Sequence, residues 1–172
     1  SWQPAGGKIG GALQLDGDGD YVDTDYDSDL ATWTAAVWVN SPAAPDSSNQ
    51  SGPVHREKNL QINWNHMDDE FRGAAGVCIG GTWYGASFGD LQPNTWYHLT
   101  ATFDGKSLRA YKNGALVMAN GGASGVPNAE AETLKLGRHA KDDSCFAGTI
   151  DDVRIYNYSL SETEAKELSQ GR

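Results

Sequence analysis

The chain has 172 residues, with 13 Lys and Arg against 23 Asp and Glu, a formal net charge of −10 and a pI near 4.6. That balance, with no basic stripe, excludes nucleic acid and anionic membranes as partners, because phosphate neutralisation by Lys and Arg supplies most of such affinity. No apolar run approaches the roughly 20 residues of a membrane-spanning helix.

The length fits one domain over residues 1–172, able to bury roughly 70% of the surface of its unfolded chain without metal or disulfide staples. Twenty-one glycines, six tryptophans and seven tyrosines, with little helix-periodic sequence, point to short strands joined by turns and an all-β class. The chain begins Ser1-Trp2 without methionine, so a processed or excised piece of a longer protein is expected.

Strands are expected first at "GALQLDG" and "DYVDT", then at "WTAAVWVNS", where Trp33, Ala35, Val37 and Val39 alternate with Thr34, Ala36, Trp38 and Asn40. This last run is apolar on both faces and predicts a central strand. Residues 41–53, "SPAAPDSSNQSGP", hold three prolines and no period, and predict a long exposed loop. "NLQINWNH" then sets Leu60, Ile62 and Trp64 against Gln61, Asn63 and Asn65. "FRGAAGVCIGG" sets Phe71, Ala75, Val77 and Ile79 against Arg72, Gly76 and Cys78. The two predict a hairpin around "MDDE".

Further strands follow at "TWYGASF", "TWYHLTATFDG", "SLRAYKNGALVMA" with its Asn113-Gly114 hairpin turn, "ETLKLGRH" and "GTIDDVRIYN". Ser161 with Glu164 three residues on is a capping box that opens a short C-terminal helix. About ten strands and one helix predict a two-sheet antiparallel β-sandwich or jelly roll.

Seven aspartates fall between Asp16 and Asp29, and removing them leaves 16 acidic against 13 basic residues. Asp16, Asp18 and Asp20 imitate the opening of an EF-hand loop. Position 6 is Tyr21 rather than glycine, position 12 is Asp27 rather than glutamate, and the sequence continues as a strand, so that architecture is rejected. Calcium itself stays attractive at Asp16–Asp20, since a hard cation takes 6 to 8 oxygen ligands. Asp23, Asp25, Asp27 and Asp29 are expected to form a solvated acidic edge. Cys78 and Cys145 lack C-x-x-C spacing, which leaves a disulfide in a secreted protein or two buried thiols in a cytosolic one; the composition favours the disulfide.

"GKIGGALQLDGDGDYVDT", "WTAAVWVN", "NTWYHLTATFDGKSLRAYKNGAL" and "GTIDDVRIYNYSLSETEAKEL" together resemble the laminin-G-like, concanavalin A-like jelly-roll family, from near Lys8 to near Leu168. The resemblance implies two antiparallel sheets and, for most members, a non-catalytic carbohydrate-binding module of a secreted protein with a structural calcium. It implies Asp16, Asp18, Asp20 and one or both of Asp151 and Asp152 as calcium ligands. Neighbours on a strand face opposite ways, so only one of that pair reaches the ion unless a bulge intervenes. The loop at 41–53 and the stretch 61–90 follow no motif of the family.

Sugars stack C–H faces on Trp and Tyr while planar polar side chains fix their hydroxyls. Trp38 and Trp96 fall in family core motifs, and Trp64 shares the face of Leu60 and Ile62, so packing accounts for them. Gln61, Asn63, Asn65 and Arg72, with Trp83 or Tyr84, line up as the candidate glycan surface, against the bland alternative of a solvated polar sheet face.

No catalytic residues are identified. "DDEFRG" lacks the E-x-D-x-x-E spacing of jelly-roll glucanases, and "QINWNH" only faintly echoes the Q-I-H segment of lyases of related fold. His55, His66, His98 and His139 show no mutual metal spacing, and His98 reads as structural. The sequence therefore predicts a non-enzymatic, secreted module that binds polysaccharide or oligosaccharide and holds a covalently linked catalytic domain on it, with calcium as cofactor. An adhesion domain without a sugar site is the rival, and a small lyase or hydrolase the third alternative. At net charge −10 a polyanionic glycan would be repelled unless calcium or Arg56, Arg72 and Arg138 intervened.

Overall fold

A computed structural model of the protein describes residues 1–139 and 143–171. Two antiparallel sheets lie face to face. The seven-stranded sheet runs in spatial order β1 (Trp2–Gln3), β2 (Ala12–Asp16), β13 (Ala147–Tyr156), β4 (Trp33–Asn40), β9 (Tyr97–Phe103), β10 (Leu108–Lys112) and β11 (Ala115–Asn120). The six-stranded sheet runs β3 (Val22–Asp23), β12 (Lys135–Leu136), β5 (Val54–Arg56), β6 (Leu60–Asn63), β7 (Ala74–Ile79) and β8 (Thr82–Ser87). The expected sandwich is present. Several strands of only two or three residues, β5 among them, carry too little sequence to show a period.

The core forms between the sheets because the period-2 pattern works on both. Trp33, Ala35, Val37 and Val39 of β4 face Ile62, Trp64, Ala75 and Val77 and their neighbours. Each fully buried Val or Ile among them contributes about 1.5–3 kcal/mol, and each Ala less. β4 is central, between β13 and β9, and all but its last residue is buried. Trp64 is core as expected, whereas Trp96 is only half-buried.

The Asn113-Gly114 turn carries φ of 52° and 79° and closes the β10–β11 hairpin. Both values fit the type I′ turn that the strand twist demands. The capping box is also present. Glu164 N–H donates to Ser161 Oγ at 3.3 Å, and Ser161 N–H donates to Glu164 Oε2 at 2.7 Å, opening α1 (Glu162–Leu168).

Three expectations need correction. The 41–53 loop is exposed at 42–44 and 46–48 but buried at both ends, at Ser41 and at Ser51, Gly52 and Pro53, and Ser51 bridges to Asn65. The acidic edge is only partly solvated. Asp29 pairs at 2.6 Å with Nη1 of the fully buried Arg56, whose Nη2 also donates to the Asp27 carbonyl. Asp23 accepts from Thr133 Oγ1 at 2.7 Å and from Lys135 Nζ at 2.9 Å. Those hydrogen bonds, that of Thr133 first, pull its pKa down to about 2.

The third correction is the disulfide: both thiols are free and buried. Cys78 lies on β7 opposite Trp83, while Cys145 bridges to Arg138 just beyond β12. With β5 and β6 between β12 and β7, strand spacings of about 4.8 Å hold the two Cα atoms well beyond the roughly 7 Å a disulfide can span.

Candidate functional site

The six-stranded sheet sorts its residues into two cross-strand rows. Leu136, Val54, Ile62, Ala75 and Ala86 are mutual partners on the core side. One residue along, Asp23, Lys135, His55, Gln61, Gly76 and Gly85 form an unbroken row on the outer face. Polar residues therefore cross the first four strands, and glycines occupy the last two.

The glycines make room for a loop. A Cβ on Gly85 would stand 2.9 Å from the Glu70 carbonyl oxygen and 3.2 Å from Cε1 of Phe71. The β6–β7 connection thus lies directly on β8. Its shape is fixed by local hydrogen bonds: Asp68 N–H to His66 Nδ1 at 3.0 Å, Glu70 N–H to Asp68 Oδ1 at 3.0 Å, and Phe71 N–H to the Asp68 carbonyl at 3.1 Å. Arg72 stitches it further, through Nε to the His66 carbonyl and Nη2 to Asp69.

Under this loop is a cavity of about 300 Å³, at the small end of the range for ligand pockets. Gln61 lies on the sheet, Phe71 and Trp83 form an aromatic side with ring centroids 6.1 Å apart, and His66 and Asp68 come from the loop. Gln50, Glu57 and His139 complete the lining. Among the described residues its lining contains two carboxylates and neither Lys nor Arg. Burial lowers the pKa of His66, which keeps its ring neutral, and the bond accepted at Nδ1 leaves Nε2 as its donor.

Beside the cavity, the rings of His55 and His139 meet tilted at 47° with centroids 4.2 Å apart, and His139 Nε2 is 3.8 Å from Glu57 Oε2. All three residues are buried. Burial, and then the neighbouring His139 and His66, push the His55 pKa well below the usual histidine range. The sequence offered no clue to this grouping, because His55 and Glu57 share β5 and its turn while His139 follows β12. The pairing of those two strands brings them together.

Of the six residues expected to meet a glycan, Gln61 and Trp83 line the cavity. Asn63 is fully buried on the same face and donates to Gln61 Oε1 at 3.3 Å, so it orients that amide. Asn65 holds the proline-rich loop by accepting from Asp46 N–H at 3.0 Å. Arg72 braces the loop. Tyr84 is on the other side of β8, paired with Val77 and packed on the core. Phe71, expected on the strand face of Ala75 and Val77, is instead in a turn and buried in the cavity wall.

The five aspartates expected around calcium do not converge. Asp16 pairs with Ala147 at one end of the β2–β13 ladder, and Asp151 pairs with Trp38 beyond the other. Four residues of strand, about 13 Å, separate them. Asp16 Oδ1 accepts Asp18 N–H at 2.8 Å within its own turn, while Asp151 accepts Ile9 N–H at 2.7 Å. A bulge does intervene at Asp152, with φ 47°, but its carboxylate accepts from Arg154 Nε at 2.8 Å. Among the described residues no three of these aspartates bring carboxylate oxygens within 4.8 Å of one another, whereas ring nitrogens of His55 and His139 and a carboxylate oxygen of Glu57 lie within that distance of one another. The five do not fit one shared ion.

The sequence model of the Concanavalin A-like lectin/glucanases superfamily matches residues 16–166. No curated protein matches the chain. Among solved structures, domain 4 of AbnA, a GH43 extracellular arabinanase from Geobacillus stearothermophilus in complex with arabinotriose, is similar over 99% of this chain and 81% of that one, with 20% identity and a TM-score of 0.75. The binding domain of Paraclostridial Mosquitocidal Protein 1 is similar over 99% of this chain and 45% of that one, at 16% identity and a TM-score of 0.72. A putative carbohydrate binding protein from Bacteroides ovatus is similar over 86% and 44%, at 17% identity and a TM-score of 0.69. At these identities the likeness is one of fold, and the chain spans under half the length of the last two.

Proposed function

The chain belongs to the concanavalin A-like lectin/glucanase superfamily, and from that premise we propose that it is a non-catalytic module that binds a neutral oligosaccharide in the cavity beneath the 66–72 loop. The observation that carries this reading is the make-up of that cavity: an aromatic side, Trp83 and Phe71, faces planar polar groups from Gln50, Gln61, Glu57 and Asp68. Aromatic faces take the C–H surface of a sugar ring, and amides and carboxylates take its hydroxyls. The arabinotriose bound by the AbnA domain and the carbohydrate-binding description of the Bacteroides ovatus protein support the ligand class.

The charge of the lining selects against acidic sugars. Among the described residues, Arg56, Arg72 and Arg138 are already paired with Asp29, Asp69 and Asp143. The use of the cavity carboxylates supports binding rather than hydrolysis. Asp68 caps its own turn, and Glu57 sits against His139; general acid and base work needs two carboxylates positioned across a scissile bond.

Attachment to a catalytic domain and an extracellular location complete the proposal, supported by the extracellular arabinanase to which the AbnA domain belongs. No described helix is long and apolar enough to cross a membrane. The test is retention on neutral polysaccharides, with product assays on the same material: retention without cleavage is expected, and release of new reducing ends or unsaturated products contradicts the non-catalytic assignment.

A further inference from the structure

We propose that His55, Glu57 and His139 form a binding site for a divalent transition metal ion, zinc by preference, in the wall of the cavity. Their ligand atoms all lie within 4.8 Å of one another, and one pair is 3.8 Å apart. A tetrahedral zinc site with bonds of about 2.0–2.1 Å sets its donors about 3.4 Å from each other. Side-chain adjustments on the order of 1 Å close that difference.

The backbone that carries the three is well fixed. His55 is on β5, hydrogen-bonded between β12 and β6. Glu57 follows in the tight turn after β5, where its carbonyl accepts Asn59 N–H at 2.7 Å. His139 N–H donates to the Ser144 carbonyl at 3.0 Å. His55, the strand residue of the three, holds its geometry best.

Burial gives the second argument. The three residues are 0%, 7% and 7% exposed, so bulk water competes little with them for an ion held there, and coordination is one of the ways buried charge is accommodated.

Donor chemistry selects the metal. Two imidazole nitrogens and one carboxylate suit borderline-soft ions; calcium and magnesium want shells built of oxygen. Three protein ligands leave one position of a tetrahedron open. Glu57 and His139 line the cavity, so that position faces it and takes water or, on the sugar reading of the same cavity, a glycan hydroxyl. Only that last assignment rests on the sugar reading.

The experiment uses the whole chain, stripped with chelator and titrated with Zn²⁺ against a chromophoric chelator, then with Co²⁺ for its visible absorption. One equivalent of zinc is expected, with the intense Co²⁺ bands of a four- or five-coordinate site. Glu57→Gln and His139→Asn should each weaken zinc by more than about 10-fold, while Asp16→Ala leaves it unchanged; near-UV circular dichroism verifies that the variants are folded. No zinc retained, or zinc bound equally by wild type and both folded variants, overturns the site. Glycan binding measured separately keeps the two proposals apart. Zinc bound without any glycan contradicts the sugar reading alone, and glycan bound without any zinc contradicts this one alone.

Discussion

Phe71 lies on Gly85: its Cε1 would be 3.2 Å from a Cβ at that position, and the Glu70 carbonyl oxygen 2.9 Å. The cavity owes its roof to this contact. Gly85→Ala should lift the 66–72 loop at a cost of about 1–3 kcal/mol, the range for overpacking, read as a lower urea midpoint and faster proteolysis within the loop. Gly76→Ala is the informative partner. Its Cβ meets first the Gln61 side-chain oxygen at 3.1 Å, so stability should change little while the Gln61 amide is displaced. Equal destabilisation by both variants would contradict this account of the glycines.

Arg56 is the buried cation of the Asp23–Asp29 segment. Arg56→Ala deprives Asp29 of its 2.6 Å partner and leaves the Asp27 and Glu130 carbonyls without its donors. Asp29 is exposed and water can take the place of its partner, so the cost comes from the lost hydrogen bonds of the buried guanidinium and is about 1–3 kcal/mol. A change under about 0.5 kcal/mol in chemical denaturation would return Asp29 to the role of solvated edge.

Acid should weaken the fold before it protonates any carboxylate. His98 is buried, and burial above all lowers its pKa from the usual 6.5 to about 4. Its folded value is below its unfolded one, so the unfolded chain binds the proton first. The contribution is complete above pH 6.5, falls from there to pH 4, and amounts to about 3 kcal/mol. Asp23, held at about 2, is the reverse case by charge type: its contribution is present above pH 4 and disappears as pH falls through 2. Melting temperature against pH, in wild type and His98→Asn, checks the first step, which should be smaller in the variant; an unchanged step would contradict the assignment to His98.

Asp16 and Asp151 should act independently. Their separate hydrogen-bond partners, Asp18 N–H and Ile9 N–H, predict that Asp16→Ala and Asp151→Asn combine additively within about 0.5 kcal/mol, in calcium as in chelator. Coupling well above that value in calcium, abolished by chelator, would show that the two segments share an ion after all.

The elements legible in the sequence are those whose signal is local. β4, the Asn113-Gly114 hairpin, the Ser161 capping box and the Leu60–Ile62–Trp64 face each depend on residues a few positions apart. The candidate site is legible only in part, and for a physical reason. Gln61, Asn63 and Trp83 could be placed on one face by alternation, but β5 and β12 are too short to show a period. The meeting of His55 and Glu57 with His139 depends on the pairing of those two strands. Phe71 misled because it sits in a turn, where strand alternation has ended. Asp151 and Asp152 misled because proximity along a ladder is set by register, and the register holds Asp16 against Ala147.

The most direct measurement is a calorimetric or NMR titration of the chain with a panel of neutral oligosaccharides, arabinotriose among them, alongside Gln61→Ala and Trp83→Ala. The account predicts saturable binding of at least one member and a loss of roughly 10-fold or more in each variant, equivalent to about 1.4 kcal/mol, at a melting temperature close to wild type. Absence of binding across the panel, or binding that both variants retain in full, would contradict the assignment of the cavity to sugar.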